Sequence, residues 1–115
     1  MIPMVSTREK GSQGESRAEA FLRARGYRVL QRNARLPGGE IDLICVESGT
    51  LVFVEVKRRD CTSFGSALSA VDARKRTRLR ALAADYAQIV APTARIRFDV
   101  VALDGGRTTL HRNAF

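Results

Sequence analysis

The sequence predicts an α/β domain with elements in the order α-β-β-β-α-β and a further edge strand near the C-terminus. Three observations carry this. Two segments with helical apolar spacing each open on a capping signature. Four short runs have strand composition or alternation. The chain has 115 residues, enough for one domain with a real core and too few for two, so residues 1–115 form a single unit.

Taken in order, residues 1–10 read as a flexible arm. Ser12 followed by Glu15 has capping-box spacing and opens a helix to Arg25, with Ala18, Phe21 and Leu22 on its apolar face and Gly26 as its stop. Tyr27 to Arg32, with Val29 and Leu30, reads as the first strand. Leu36-Pro-Gly-Gly39 is a loop leading to two strand runs, Glu40 to Val46 and Leu51 to Lys57. The turn-type tetrapeptide Glu47-Ser-Gly-Thr50 joins these as an antiparallel hairpin. Asp60 to Ser66 is a loop containing Phe64-Gly65. Ser69 with Asp72 repeats the capping spacing and opens a second helix, with Val71, Leu79, Leu82, Ala83, Tyr86 and Ile89 at helical spacing and Pro92 closing it. Arg95 to Leu103 alternates as a fourth strand, with Ile96, Phe98 and Val100 on one face. Asp104-Gly-Gly106 is a hairpin turn, and Thr108 to Arg112 adds the edge strand. No internal repeat, low-complexity tract or linker interrupts this order.

Composition narrows the function classes. Hydrophobic residues at 44% and charged residues at 28% fit a globular protein. Twenty Lys plus Arg against twelve Asp plus Glu leave a net charge of +8, the electrostatic footprint of a nucleic-acid binder. The first ten residues lack the pattern of a signal peptide, and no apolar run reaches the length of a membrane span, so the expected location is cytoplasmic with no membrane partner. Cys45 falls in a strand and reads as a small core hydrophobe, and Cys61 falls in a loop. Two cysteines and one histidine, His111, without CxxC spacing do not make a zinc site.

The hairpin carries the chemistry. Asp42, Glu55 and Lys57 sit in runs that otherwise read as buried strands, and charged residues are almost never fully buried unless paired or metal-bound. If Val46 pairs with Leu51, paired positions sum to 97, which sets Asp42 opposite Glu55 and Glu40 opposite Lys57. Opposed Cβ atoms lie about 5 Å apart. At an effective dielectric of about 20, two carboxylates at that range repel by roughly 3 kcal/mol. Either one takes up a proton, or a cation sits between them. Oxygen donors suit a hard ion, Mg²⁺ or Mn²⁺. Lys57 points to the same face as Glu55, where it could orient or deprotonate an attacking water or stabilise developing phosphate charge. The bland alternative is a surface hairpin with a Glu40–Lys57 cross-strand ion pair.

Arg74-Lys-Arg-Thr-Arg-Leu-Arg80 puts five cations on seven residues. They surround the helix, so not all can face one ligand. Arg74 and Arg78 lie one turn apart, Lys75 and Arg78 share a flank, and Arg76 and Arg80 read as solvated. Phosphate contacts are expected from Lys75, Arg78 and Arg74, together with Arg58 beside the hairpin. With aromatic content of 6% and no Trp, a single-strand stacking platform is not expected, which favours duplex or branched nucleic acid.

These residues resemble a known pattern, that of the YraN-type family of small bacterial proteins, which is itself similar to the Holliday junction resolvase branch of restriction-endonuclease-like nucleases. The resemblance runs from Gly14-Glu15, Ala18 and Phe21-Leu22 through Gly26-Tyr27, Arg32-Asn33, Gly39-Glu-Ile-Asp-Leu-Ile44 and Val52-Phe-Val-Glu-Val-Lys57. It continues through Phe64-Gly65, Ala70-Val71, Lys75, Arg78-Leu79 and Arg97-Phe-Asp-Val-Val101. The superfamily's motif, an Asp followed across a strand turn by (Asp/Glu)-x-Lys, is filled by Asp42 and Glu55-Val-Lys57. In resolvase-like relatives a first-helix Glu joins the metal site, and Glu15 matches that position; as a residue of this sequence, Glu15 serves equally well as the capping-box acceptor. The resemblance implies a mixed sheet flanked by helices, Mg²⁺-dependent phosphodiester hydrolysis and a homodimer.

The expected function is therefore a metal-dependent endonuclease acting on DNA, including branched or junction DNA. Asp42 and Glu55 would hold the ion, the carbonyl of Val56 would be a further ligand, and Lys57 would act on the water. The alternative is a nucleic-acid-binding or adaptor protein that keeps a nuclease fold without turnover. A ribonuclease is the weaker third reading, since nothing in the sequence reads a 2′-hydroxyl.

Overall fold

The computed structural model describes residues 7–59 and 73–115. Its elements are α1 (Thr7–Arg23), β1 (Arg28–Leu36), β2 (Gly39–Glu47), β3 (Thr50–Arg59), α2 (Ala73–Val90), β4 (Arg95–Asp104) and β5 (Arg107–His111). This is the expected order with the edge strand in place. The five strands form one sheet in sequence order, antiparallel at every step except β3–β4, which is parallel. A parallel pair needs a long crossover, and the stretch carrying α2 supplies it.

Each sheet face packs its own core. On one face Ala18 and Leu22 of α1 join Leu43, Cys45, Val52, Val54, Val101 and Leu103. On the other, Leu79, Leu82, Ala83 and Ala87 of α2 meet Ala34, Ile41, Ile44, Leu51, Phe53 and Val100. Burial from both sides explains why β3 and β4 read as nearly continuous apolar runs. Where α1 ends, the Tyr27 N–H donates to the Leu22 carbonyl and Gly26 to Arg23, with Gly26 left-handed at φ 89°. This is a Schellman closure whose apolar contact is Tyr27 on Leu22.

The β2–β3 hairpin has the predicted register, with pairs from Glu47↔Thr50 to Leu43↔Val54 all summing to 97. Ser48 and Gly49, at φ 51° and 79°, make the two-residue turn whose twist matches the strands. Beyond Leu43 the regular ladder stops. Leu43 and Cys45 face α1 and Ile44 faces α2, yet Ile41 also belongs to the α2-side core, so the alternation of β2 slips at Asp42. Across the β1–β2 pairing, Asn33 lies between Arg32 (opposite Leu43) and Ala34 (opposite Ile41), with a left-handed φ of 51°. Both strands are thus distorted at one level of the sheet.

Several expectations are corrected. α1 begins at Thr7, so residues 7–10 of the expected arm are helical and Glu15 lies within the helix, not in a capping box. Residues 1–6 lie outside the described residues. β1 extends to Leu36, its pattern masked by Asn33 and by the irregularity between Val29 and Gln31. Ile89, expected on the apolar face of α2, is 84% exposed, and Ile96 is also exposed. The Ser69–Asp72 cap, Val71, the loop with Phe64-Gly65 and Cys61 lie outside the described residues. Cys45 is buried and free, as expected.

Asp99 on β4 is the fully buried charge of the α1 face. Its carboxylate accepts from Tyr27 Oη (2.6 Å), Arg97 Nε (2.9 Å), Arg97 Nη2 (3.0 Å) and the Asn113 N–H (2.9 Å). Arg97 also donates to Glu47 on β2. Burial, with Asp99 adding, pushes the Tyr27 phenol up to about 12. Removing one partner from such a network strands the others. Asp99→Ala is expected to destabilise the fold by about 3–5 kcal/mol, and Tyr27→Phe by about 1 kcal/mol. Urea unfolding of both variants checks the ranking.

Candidate active site

Where β2 and β3 part, a cleft of about 440 Å³ opens on the α2 side of the sheet. Gly38, Gly39, Glu40, Asp42, Glu55, Val56, Lys57, Lys75, Arg78 and Leu79 line it. The slip in β2 turns the Asp42 carboxylate toward β3, where Oδ2 accepts the Val56 N–H at 2.9 Å. Glu55, on the same face of β3 as Phe53, is 6% exposed. The two carboxyl groups hydrogen-bond to each other.

Burial, then the charge of Glu55 and its hydrogen bond, push Asp42 up to about 8, and the Val56 amide opposes this only in part. Burial would raise Glu55 too, but the proton donated by Asp42 and the charges of Lys75 and Lys57 hold it below its ordinary value. The surroundings thus favour the protonated form of Asp42 and the ionised form of Glu55. The side chains of Asp42 and Glu55 meet, although the regular β2–β3 ladder read from the register stops one pair short of them, at Leu43↔Val54.

Lys57 Nζ lies 3.2 Å from Glu55 Oε2, and Lys75 reaches across from α2 to the same oxygen. Burial, followed by the neighbouring Lys75, lowers Lys57 below the ordinary lysine value despite Glu55. The Glu40–Lys57 ion pair of the bland alternative does not form. Glu40 pairs instead with Arg35 at 3.4 Å across the β1–β2 turn, because the β2–β3 ladder has ended before reaching it.

Glu15 is 9% exposed and packed between α1 and the sheet. Burial raises its pKa, against a hydrogen bond from Asn33 and the charge of Arg32, and the charges of Glu40 and Glu55 reach it. It stands near the carboxylate pair without lining the cleft. Among the described residues no group of three or more His, Cys, Asp or Glu is arranged to hold a metal ion. Three carboxylates line the cleft: Asp42 and Glu55, which touch each other, and Glu40, which pairs with Arg35.

Of the residues expected to meet phosphate, Lys75 and Arg78 line the cleft, while Arg58 and Arg74 are exposed outside its lining. Sequence reasoning missed that Lys75 touches Glu55. The available signal was its spacing of one turn from buried Leu79, which sets it on the flank of the core-facing stripe. Asn33, which holds Glu15, was also missed; only the tolerance of Asn for left-handed backbone could have pointed to it.

The raised Asp42 pKa fixes a pH dependence of the metal-free protein. An Asp ionises near 4 when unfolded and near 8 here, so the stability from its protonated form is complete below about pH 4 and is lost as pH rises to about 8. In EDTA, the melting temperature is expected to fall across that window and then level off. Asp42→Asn keeps an acceptor for Val56 and a donor for Glu55, so it should abolish the fall and melt above wild type at pH 8. Thermal melts across that pH range test both.

The fold has a known counterpart. A repair endonuclease from Pyrococcus abyssi has a similar structure, with a TM-score of 0.50 at 16% identity over 92% of this chain and 42% of that one. At that identity the likeness speaks for the fold alone, a mixed sheet between helices of restriction-endonuclease-like form. This chain spans less than half of that endonuclease. The sequence is 43% identical to a UPF0102 protein of Shewanella loihica over 92% of this chain and 93% of the relative. It is 44% identical to one of Halorhodospira halophila, over 94% and 88% respectively. The model of the uncharacterised protein family UPF0102 matches residues 14–103, a span that takes in Glu15, Asp42, Glu55, Lys57 and Lys75. The chain belongs to the UPF0102 family.

Proposed function

We propose that this protein is a metal-dependent endonuclease that hydrolyses phosphodiester bonds in DNA, with branched or junction DNA among its substrates. The observation that carries this reading is the buried Asp42–Glu55 pair, in hydrogen-bond contact at the wall of a cleft that two lysines and Arg78 also line. A buried carboxylate pair is unfavourable for the fold alone, and hard oxygen donors in contact are what Mg²⁺ or Mn²⁺ takes in exchange for the proton. The donor chemistry therefore fits such an ion, which would be held by Asp42 and Glu55, with the Val56 carbonyl and Glu15 as further donors. When bound, it supplies charge neutralisation at the phosphate and a more acidic water.

The chain's own groups do the rest. Lys57, the lysine whose pKa burial depresses, orients the attacking water or takes its proton. Arg78 and Lys75 hold the phosphate from α2, and Arg74 and Arg58 extend the cationic surface. The restriction-endonuclease-like fold supports this assignment by analogy. A second reading, a nucleic-acid binder without turnover, is favoured by one observation: two ammonium groups already satisfy Glu55.

Labelled duplex, forked, four-way-junction and single-stranded DNA, incubated with Mn²⁺, Mg²⁺ or EDTA, separate the two. A nuclease cuts only with metal. Lys57→Ala should then lose about 100-fold or more of its cleavage rate while binding DNA at near wild-type strength. Wild-type protein that binds but never cuts establishes the binder instead. Under either reading, replacing Arg74 and Arg78 by Ala should flatten the plot of log affinity against log salt, by about 0.9 per lost duplex phosphate contact. An unchanged slope assigns these arginines to the solvated face.

A further inference from the structure

Lys57 and Lys75 converge on one oxygen, Oε2 of Glu55, and they reach it by different routes. Lys57 is the i+2 neighbour on β3, so the pleat holds its ammonium on the face of Glu55 whatever occupies the cleft. Lys75 comes from α2 on the other side of the sheet–helix gap, and its long flexible stem can withdraw into the open cleft without moving backbone. Glu55 carries one negative charge and meets two ammonium groups, so Lys75 is surplus to neutralising that carboxylate. A divalent ion on Oε2 would bind about 2 Å from it. Any ion there lies within contact range of the Lys75 ammonium, and in this low-dielectric setting the two cations exclude each other.

We propose that Lys75 is a built-in competitor for the cation position on Glu55, neutralising this carboxylate in the metal-free protein and withdrawing when a divalent ion binds. This rests on the metal-dependent reading given above. Withdrawal carries the ammonium toward Arg78, its i+3 neighbour on the same wall of the cleft, so that metal binding and exposure of a phosphate-binding pair become one event. The metal-free cleft is then self-neutralised, and its full cationic character appears only with the ion.

The test is calorimetric titration with Mn²⁺ at mildly alkaline pH and fixed ionic strength, on wild type, Lys75→Met, Lys75→Arg and Arg78→Met, each checked for folding by circular dichroism. Lys75→Met should bind Mn²⁺ at least about tenfold tighter than wild type, as removal of a contacting like charge requires. Lys75→Arg, which keeps the charge, should stay near wild type. Arg78→Met removes the same charge from the cleft wall without freeing Glu55, and should change affinity far less. If Lys75→Met and Arg78→Met bind alike, or Lys75→Met binds no tighter than wild type while Asp42→Ala abolishes binding, the competitor role is wrong and the metal site stands. If no variant binds Mn²⁺, the metal reading falls and this inference falls with it.

Discussion

Two carboxylates pressed together at the end of a sheet that is dry on both faces are the constraint around which the rest of the molecule is arranged. Unrelieved, Asp42 and Glu55 would repel by several kcal/mol and also lose their hydration. The fold relieves them four times over: a shared proton, the Val56 amide, and the ammonium groups of Lys57 and Lys75. The regular β2–β3 pairing also stops at Leu43↔Val54, and Asn33 is left-handed at the same level of the sheet. Backbone departures of this kind cost about 1 kcal/mol or more each and persist only where their surroundings impose them. Asn33 and the end of the β2–β3 ladder coincide here with the Asp42–Glu55 pair.

The opposite face offers a comparison within the same protein. Asp99 is as buried as Glu55, yet it accepts four hydrogen bonds distributed over both oxygens, from a phenol, a guanidinium and a backbone amide. That carboxylate has no capacity left and no opening to solvent, so it fastens the C-terminal segment and β4 to the start of β1. Glu55 has two ammonium groups on a single oxygen and opens on a cleft. A satisfied buried charge stabilises one arrangement. A buried charge whose partners reach it across a cleft can exchange them, and this difference separates Asp99 from Glu55.

The same distinction explains what could be read in advance. The approach of Asp42 to Glu55 was legible because strand pairing is arithmetic: the two-residue turn at Ser48-Gly49 fixes every partner as far as Leu43↔Val54, the pair next to them. The same arithmetic failed for Glu40 and Lys57, since it assumes a ladder that continues and this one ends at the site. The start of α1 was hidden by Gly11, Ser12 and Gly14, weak helix formers that invite a cap in their midst. Glu15 kept two roles in the sequence because spacing alone fits both, and the longer helix removes one of them. Lys75 was legible as a cation but not as a partner of Glu55, because residues 20 positions apart on different elements meet only through tertiary packing.

That packing ties the site to the core. Leu79, Leu82, Ala83 and Ala87 press α2 onto the sheet, and the stripe they form ends, one turn before Leu79, at Lys75. The helix that closes the hydrophobic core on this face therefore also sets the distance between the Lys75 ammonium and Glu55. The same geometry divides the basic run by flank. Arg76 and Arg80 lie over the ring of Phe115, each 5.7 Å from its centroid, and Phe115 stacks on Phe98, so these two cations cap the aromatic end of the core. Lys75 and Arg78 take the flank that faces the cleft. Of the five cations in this run, helical period thus sends two over Phe115 and two to the cleft, and leaves Arg74 exposed outside it. A change in the core that rotated α2 would disturb both at once, so stability and site geometry in this protein cannot vary independently.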